Sequence, residues 1–455
     1  MKLFPFTALI LAFAINIPAQ TSDAALRRAI DADRAAREAT GSIPDLTASE
    51  HLARAESYSA NRMFPQAREH WQKVFDRFPD DPGIPKALFG AARSFMWERD
   101  YAQAVVWFDR LLKDHLRTKE GREGLAFKGA SYVRMGKNLD AARTYEQYIT
   151  MFPKGERIES AYLNTIDAYR EAGRYEDANK WVDRTVSEFR GKPAEVNALQ
   201  ARLRMEIYRE NWPAAVNSAE TLLSGKSFAG SMASADEIRY LKALSLERSG
   251  KKTESLEAYS SVTQGDSSYF GGLAAEKGSS SGVKPTASVR GRRSADFPAP
   301  YRQELLREAG KNKIDPRFML AIMKQESSFR ASAKSPAGAR GLLQLVFDTA
   351  VKYNRKAGYS NLTPDDLYSP AANIAIGAVY IAELKNEFGG MYEAIAASYN
   401  GGEDNAARWL NRTKPKDPGV FAAEIGFAET KNYVFKVMNN YRIYRELYTE
   451  GLQPR

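Results

Sequence analysis

The chain has no cysteine. That excludes disulfides, thiolate metal sites, a cysteine nucleophile and a lipid-modified N-terminal cysteine together. Histidine is nearly absent: the three present, His51, His70 and His115, all lie well before the middle. The C-terminal part therefore has no Ser-His-Asp triad, no Cys–His pair and no His-ligated zinc. Runs of strand period are missing, and with them the strand that a Gly-rich phosphate loop would follow. No metal and no cofactor is expected. Charge of one sign is in modest excess, 66 Lys and Arg against 56 Asp and Glu, for a net +10. Such an excess favours an anionic surface or polymer about as readily as it serves plain solubility. The apolar stretch from Leu3 to Ile17 falls short of the roughly 20 residues that span a bilayer. With Lys2 ahead of it and Pro18-Ala19-Gln20 behind, residues 1–19 read as an export signal cleaved after Ala19, with Ile17 larger than usual near the cut.

What is present, from about Ala25 to Ala275, is helical pattern that repeats. Ala67, Ala104, Ala141, Ala178 and Ala215 follow one another at intervals of 37 residues. An aromatic precedes four of them by three residues: Phe64, Tyr101, Tyr175 and Trp212, with Asn138 as the exception. Phe78, Phe152 and Phe189 fall later in their units. Each unit predicts a helix, a tight turn such as Glu171-Ala172-Gly173-Arg174, and a second helix. The alanine lets the pair approach and the aromatics fill the seam between neighbours. The pattern resembles tetratricopeptide repeats, although 37 exceeds their usual period of about 34. A sixth unit centres on Ser255, beyond the insertion Ser224 to Ser234. Such repeats offer a surface for a partner protein, although most of these aromatics read simply as core.

At 455 residues the chain predicts two to four domains. Residues 20–276 form the repeat region. Residues 277–296, containing KGSSSGVKPTASVRGRRS, read as a flexible basic linker. Residues 297–455 form a second helical domain. Asp315-Pro316 supplies an N-cap and a proline at the first helical position, and Phe318, Met319, Ile322 and Met323 recur at helical spacing. Ser369-Pro370 opens a second helix, apolar on nearly every side in its first half, which predicts a central buried position. Asn400-Gly401-Gly402 reads as a helix stop, with Asn400 as the cap.

With histidine and cysteine excluded here, acid–base work near neutral pH falls to a carboxyl group, with Lys or Tyr as weaker candidates. Glu326 is placed for it, at the end of an apolar helix among Ile322, Met323 and Phe329, where burial would keep it protonated. Taken alone, a glutamate at a helix end is more often a solvated or capping residue.

Four segments change that. Glu326-Ser327-Ser328-Phe329, Ser335-Pro336-Ala337-Gly338-Ala339-Arg340-Gly341-Leu342-Leu343-Gln344-Leu345, Ser398-Tyr399-Asn400-Gly401-Gly402 and Glu424 to Val434 together resemble the catalytic core of the soluble lytic transglycosylases, in the same order. The resemblance covers residues 297 to about 448 and extends loosely to the helical region before. It implies an all-α chain, with a superhelical repeat region followed by a lysozyme-like catalytic domain, located in the periplasm. It implies cleavage of the β-1,4 bond between N-acetylmuramic acid and N-acetylglucosamine in peptidoglycan without water, giving a 1,6-anhydro product. Glu326 would be the sole acid and base. Ser327, Ser335, Gln344, Tyr399, Asn400, Glu429 and Tyr433 would bind substrate, with Tyr399 able to orient Glu326 or the sugar. Glycan strands would be the partner, with neither nucleic acid nor membrane association required. Leu343, Val346-Phe347, Ser398, Gly401 and Gly426 depart from the family pattern at positions that shape the pocket. Two alternatives stay open: hydrolysis by water, as in goose-type lysozymes, and a non-catalytic scaffold.

Overall fold

A computed structural model describes residues 19–263, 268–280, 294–335 and 338–455. The expected export signal lies outside them apart from Ala19, and so does most of the expected linker. Among the described residues the fold is all-α, with only isolated β-bridges, and no helix is long and apolar enough to cross a membrane.

After α1 (Ala19–Thr40) come helix pairs: α2 and α3 (Ala48–Ala60, Phe64–Arg77), α4 and α5 (Ile84–Trp97, Tyr101–His115), α6 and α7 (Lys119–Arg134, Asn138–Met151), α8 and α9 (Ile158–Glu171, Tyr175–Glu188), and α10 and α11 (Pro193–Tyr208, Trp212–Leu223). The five alanines all sit one turn into the second helix of a pair, and all are 0% exposed. The turn inside each pair recurs as well. Arg62, Arg99, Gly136, Gly173 and Glu210, again 37 apart, all have φ between 59° and 71°. This left-handed residue frees the chain to reverse after the first helix of each pair. The sixth pair forms as α12 and α13 (Ala235–Arg248, Lys252–Ser260), with buried Ser255 in the alanine position. The aromatics fill the seams less completely than expected: Phe64 and Phe189 are buried, whereas Tyr101, Tyr175 and Trp212 are half-buried.

α14 (Tyr269–Ser280) corrects the start of the linker. Residues 277–280 are helical, and the Lys277 ammonium lies 3.2 Å from Glu247, a pairing that holds the helix past the expected break. The chain divides into two compact units, 15–201 and 202–455, with the boundary inside α10. The second unit therefore combines the last repeat helices with the C-terminal ones.

Those are α15 (Arg302–Asn312), α16 (Pro316–Glu326), α17 (Phe347–Tyr353), α18 (Pro370–Glu387), α19 (Tyr392–Gly401), α20 (Glu403–Asn411), α21 (Pro418–Glu424) and α22 (Ala428–Leu447). α18 is central, with Ala372 to Ile381 buried without interruption. Around it Phe318 and Ile322 of α16, Ile395 of α19 and Val434, Val437 and Tyr444 of α22 close one apolar core. α16 starts where expected: the Asp315 carboxylate accepts from the Arg317 N–H and Pro316 takes the first position. α19 runs two residues further than expected. Its cap is Gly402, at φ 88°, and Asn400 lies within the helix.

Candidate active site

The site starts from the end of α16. Everything from Pro316 to Met323 is buried, so the helix delivers its last residue, Glu326, out of the core with a fixed direction. The chain then turns through Ser328 and Phe329, both at positive φ (49° and 66°), a conformation that costs non-glycine residues energy and that the surrounding packing must sustain. Glu326 retains partial exposure, yet burial pushes its carboxyl up to about 7. One interaction opposes this: the Tyr433 hydroxyl donates to Oε1 at 2.6 Å, favouring the ionised form. Tyr433 is held on α22 with 6% exposure, and burial together with the Glu326 charge keeps its hydroxyl un-ionised.

A turn that includes Lys334, Ser335 and Gly338 to Leu345 is tied by bridges between Lys334 and Arg340 and between Arg340 and Leu345. Ser335 Oγ accepts from the Ala339 N–H at 3.0 Å. Gln344, at φ 46°, donates both amide hydrogens to backbone carbonyls, those of Ala333 at 3.0 Å and Gly341 at 2.8 Å. With both donors fixed, its Oε1 is left as an oriented acceptor. Tyr399 donates to the Leu343 carbonyl at 2.6 Å, bracing this turn from α19. Of the two tyrosines, Tyr433 bonds the glutamate, whereas Tyr399, expected to orient Glu326 or the sugar, bonds the Leu343 carbonyl. Asn400 is exposed, and its Oδ1 accepts from Thr430 Oγ1 at 2.7 Å.

Two candidates remain. Ser327 is 1% exposed, with its hydroxyl directed at the Leu342 carbonyl at 2.8 Å. It cannot meet a ligand there, so its expected binding role is corrected to one of tying α16 to the turn. Glu429 is exposed in the first turn of α22. Asn373 escaped the sequence reading. Fully buried on α18, it accepts from the Leu343 N–H at 2.8 Å and donates to the carbonyls of Arg340 and Leu367 at 3.0 and 2.8 Å. Its signal was present: a lone amide in the apolar first half of a helix must find partners.

Comparison with known proteins adds two family matches. Residues 305–421 match the family described as Transglycosylase SLT domain, and residues 52–117 and 128–193 match Tetratricopeptide repeat; the chain carries both. The SLT match ends before α22, so Tyr433 lies beyond it. The soluble lytic murein transglycosylase of Escherichia coli K12 is 34% identical over 162 residues, 35% of this chain and 24% of that protein. The membrane-bound lytic murein transglycosylase C of Salmonella arizonae is 34% identical over 163 residues, 31% of this chain and 45% of that protein. The chain thus spans about a quarter of the length of the E. coli relative. In structure it is similar to an inactive mutant of lytic transglycosylase Slt from Pseudomonas aeruginosa, with TM-score 0.53 and 18% identity over 96% of this chain and 87% of the other. It is also similar to the 70 kDa soluble lytic transglycosylase of E. coli, with TM-score 0.51 and 17% identity over 94% and 89%. At these identities the likeness is one of fold.

Proposed function

We propose that the chain is a peptidoglycan lytic transglycosylase, with residues 297–455 as its catalytic domain and Glu326 as its only acid and base. The observation carrying this reading is the environment of Glu326. Burial and the Tyr433 hydroxyl account for its shift, and among the described residues no second carboxylate contributes. A two-carboxylate hydrolase needs a partner acid to activate water or to attack the sugar. One glutamate suffices when the nucleophile belongs to the substrate.

The protonated carboxyl gives its proton to the glycosidic oxygen, and the bond from that oxygen to C1 of N-acetylmuramic acid breaks. The resulting carboxylate takes the proton of the C6 hydroxyl while O6 bonds to C1. The products are a 1,6-anhydro end and a free 4-hydroxyl, and Glu326 is again protonated. Holding the attacking hydroxyl in the same molecule replaces a bimolecular step by a unimolecular one. Gln344 Oε1 is oriented to accept from the acetamido N–H. Ser335, Tyr399 and Asn400 line the sugar path, and Glu429 stands at its rim. Tyr433 steers the carboxyl. The chain would work in the periplasm on glycan strands, with the repeats open to a partner protein.

Mass spectrometry of the soluble products from purified sacculi tests this. Anhydro-ended muropeptides are expected from the wild type and none from Glu326→Gln. Products carrying the mass of added water would overturn the non-hydrolytic step, and equal release by both proteins would overturn the role of Glu326.

A further inference from the structure

The first two turns of α22 make two of the site's bonds, Thr430 to Asn400 and Tyr433 to Glu326. Between these residues lies Lys431, 3% exposed, whose ammonium meets the Glu237 carboxylate of α12 at 2.6 Å; Glu237 is 0% exposed. A second buried carboxylate, Glu424 at the end of α21, accepts from Arg204 of α10 at 3.0 Å and lies 3.4 Å from Nε of Arg412, the cap of α20. Arg412 also donates to the Glu424 carbonyl at 3.2 Å. Lys431 feels the charges of Arg204 and Glu424, so the five groups form one cluster. Burial pulls Lys431 below the ordinary lysine range, and Glu237 opposes this.

Stability does not account for such a cluster, because a buried ion pair is commonly matched or bettered by apolar residues of similar volume. What the pair adds is position. Two buried opposite charges in contact hold one separation, because any slide weakens their attraction, whereas apolar contact tolerates sliding. Lys431 is one residue from Thr430 and two from Tyr433, so its position sets where these turns sit.

We propose that Glu237, which precedes both the linker and the SLT match, is a positioning residue for the acid: through Lys431 it fixes the first turn of α22 and so holds the Tyr433 hydroxyl on Glu326. This rests on the reading of Glu326 given above. The C-terminal domain then does not contain all of its own positioning apparatus; the last repeat helices supply part of it.

The test is Glu237→Gln in the full chain, which keeps the shape and removes the charge. Amide hydrogen exchange across residues 428–434 should rise while α18 stays protected. On sacculi, kcat should fall by about tenfold with little change in KM. The basic limb of the pH profile should move upward, as for Tyr433→Phe, and the double variant should move it no further than Tyr433→Phe alone. Should Glu237→Gln not fold, Glu237→Leu with Lys431→Met leaves neither charge of this pair buried and should show the same rise in exchange. A folded Glu237→Gln with wild-type protection at 428–434 overturns the inference, whatever the sacculi assay gives. Absence of turnover by the wild type overturns the reading of Glu326 instead, and the exchange measurement still decides this one.

Discussion

At Glu326 two opposing effects set the working pH. Burial holds the carboxyl protonated up to about 7, and the Tyr433 hydrogen bond favours its ionised form. In the proposed reaction the protonated acid acts first, so kcat/KM should be full well below pH 7 and decline as pH rises through it. Tyr433→Phe removes this opposing influence, so the decline should shift to higher pH. The rate on the plateau should fall about tenfold as the carboxyl loses its orientation. A pH–rate profile of both proteins checks each part, and a downward shift in the variant would reverse the sign argued here. In the sequence, elimination left a carboxyl as the expected acid and helical spacing placed Glu326 at a helix end, but only the four segments resembling the soluble lytic transglycosylases singled it out. Its contact with Tyr433 was not legible, since the two are 107 residues apart and meet only where α22 packs on α16. Ser327 shows the converse. Its motif position was plain, yet its direction depended on the Leu342 carbonyl 15 residues away.

Among the elements, two turns with similar backbone angles should respond very differently to one methyl group. Gly173, at φ 71°, makes the reversal between α8 and α9, and a Cβ there would meet nothing within 4 Å. Gly173→Ala should cost only the left-handed conformation, about 1 kcal/mol, with turnover unchanged. Gly341, at φ 78°, lies in the turn that carries Gln344. A Cβ there would come within 2.1 Å of the Leu367 carbonyl oxygen and 2.3 Å of Asn373 Nδ2. Gly341→Ala must displace the Asn373 bonds that hold Leu343, and turnover should fall on the order of a hundredfold through loss of geometry. Denaturant melts and turnover of the two variants separate the cases; equal effects on turnover would remove the positional role of the Gly341 turn. The sequence marked Gly173 as a turn, since glycine between periodic segments is a strong signal, and placed Gly341 only within a family motif. What distinguishes them is packing from a distant helix, which no local pattern carries. The repeats were legible for the opposite reason: their contacts are between neighbours, so one 37-residue period encodes alanine, turn and seam together.

In the whole molecule, the two compact units carry buried groups that answer pH in opposite senses. In the unit of residues 15–201, His51 and His70 are fully buried, with Nδ1 of one 2.9 Å from Nδ1 of the other, and His70 Nε2 is 3.0 Å from Asp33. Asp33 also accepts from Tyr58 and Arg54 and stays ionised, so His70 donates to it from Nε2 and accepts at Nδ1 from His51. Both rings are thereby neutral. Burial, then the neighbouring His70, lowers His51 to about 4. A folded-state value below the ordinary 6.5 means this stability is complete above pH 6.5 and is lost as pH falls through about 4. In the unit of residues 202–455, Glu393 is buried beside the Tyr269 hydroxyl, 3.2 Å away, and burial raises it to about 7. Here stability is complete below the ordinary 4.5 and is lost as pH rises through about 7. Hydrogen exchange corrected for its intrinsic pH dependence should therefore show α1 to α3 loosening on acidification from pH 7 to 4.5, and α14 and α19 loosening from pH 5 to 8. Glu393→Gln keeps an acceptor for Tyr269 without a titrating group, and should leave α14 and α19 equally protected at both ends of that range. Parallel responses in the two units would mean that neither buried group governs its own surroundings.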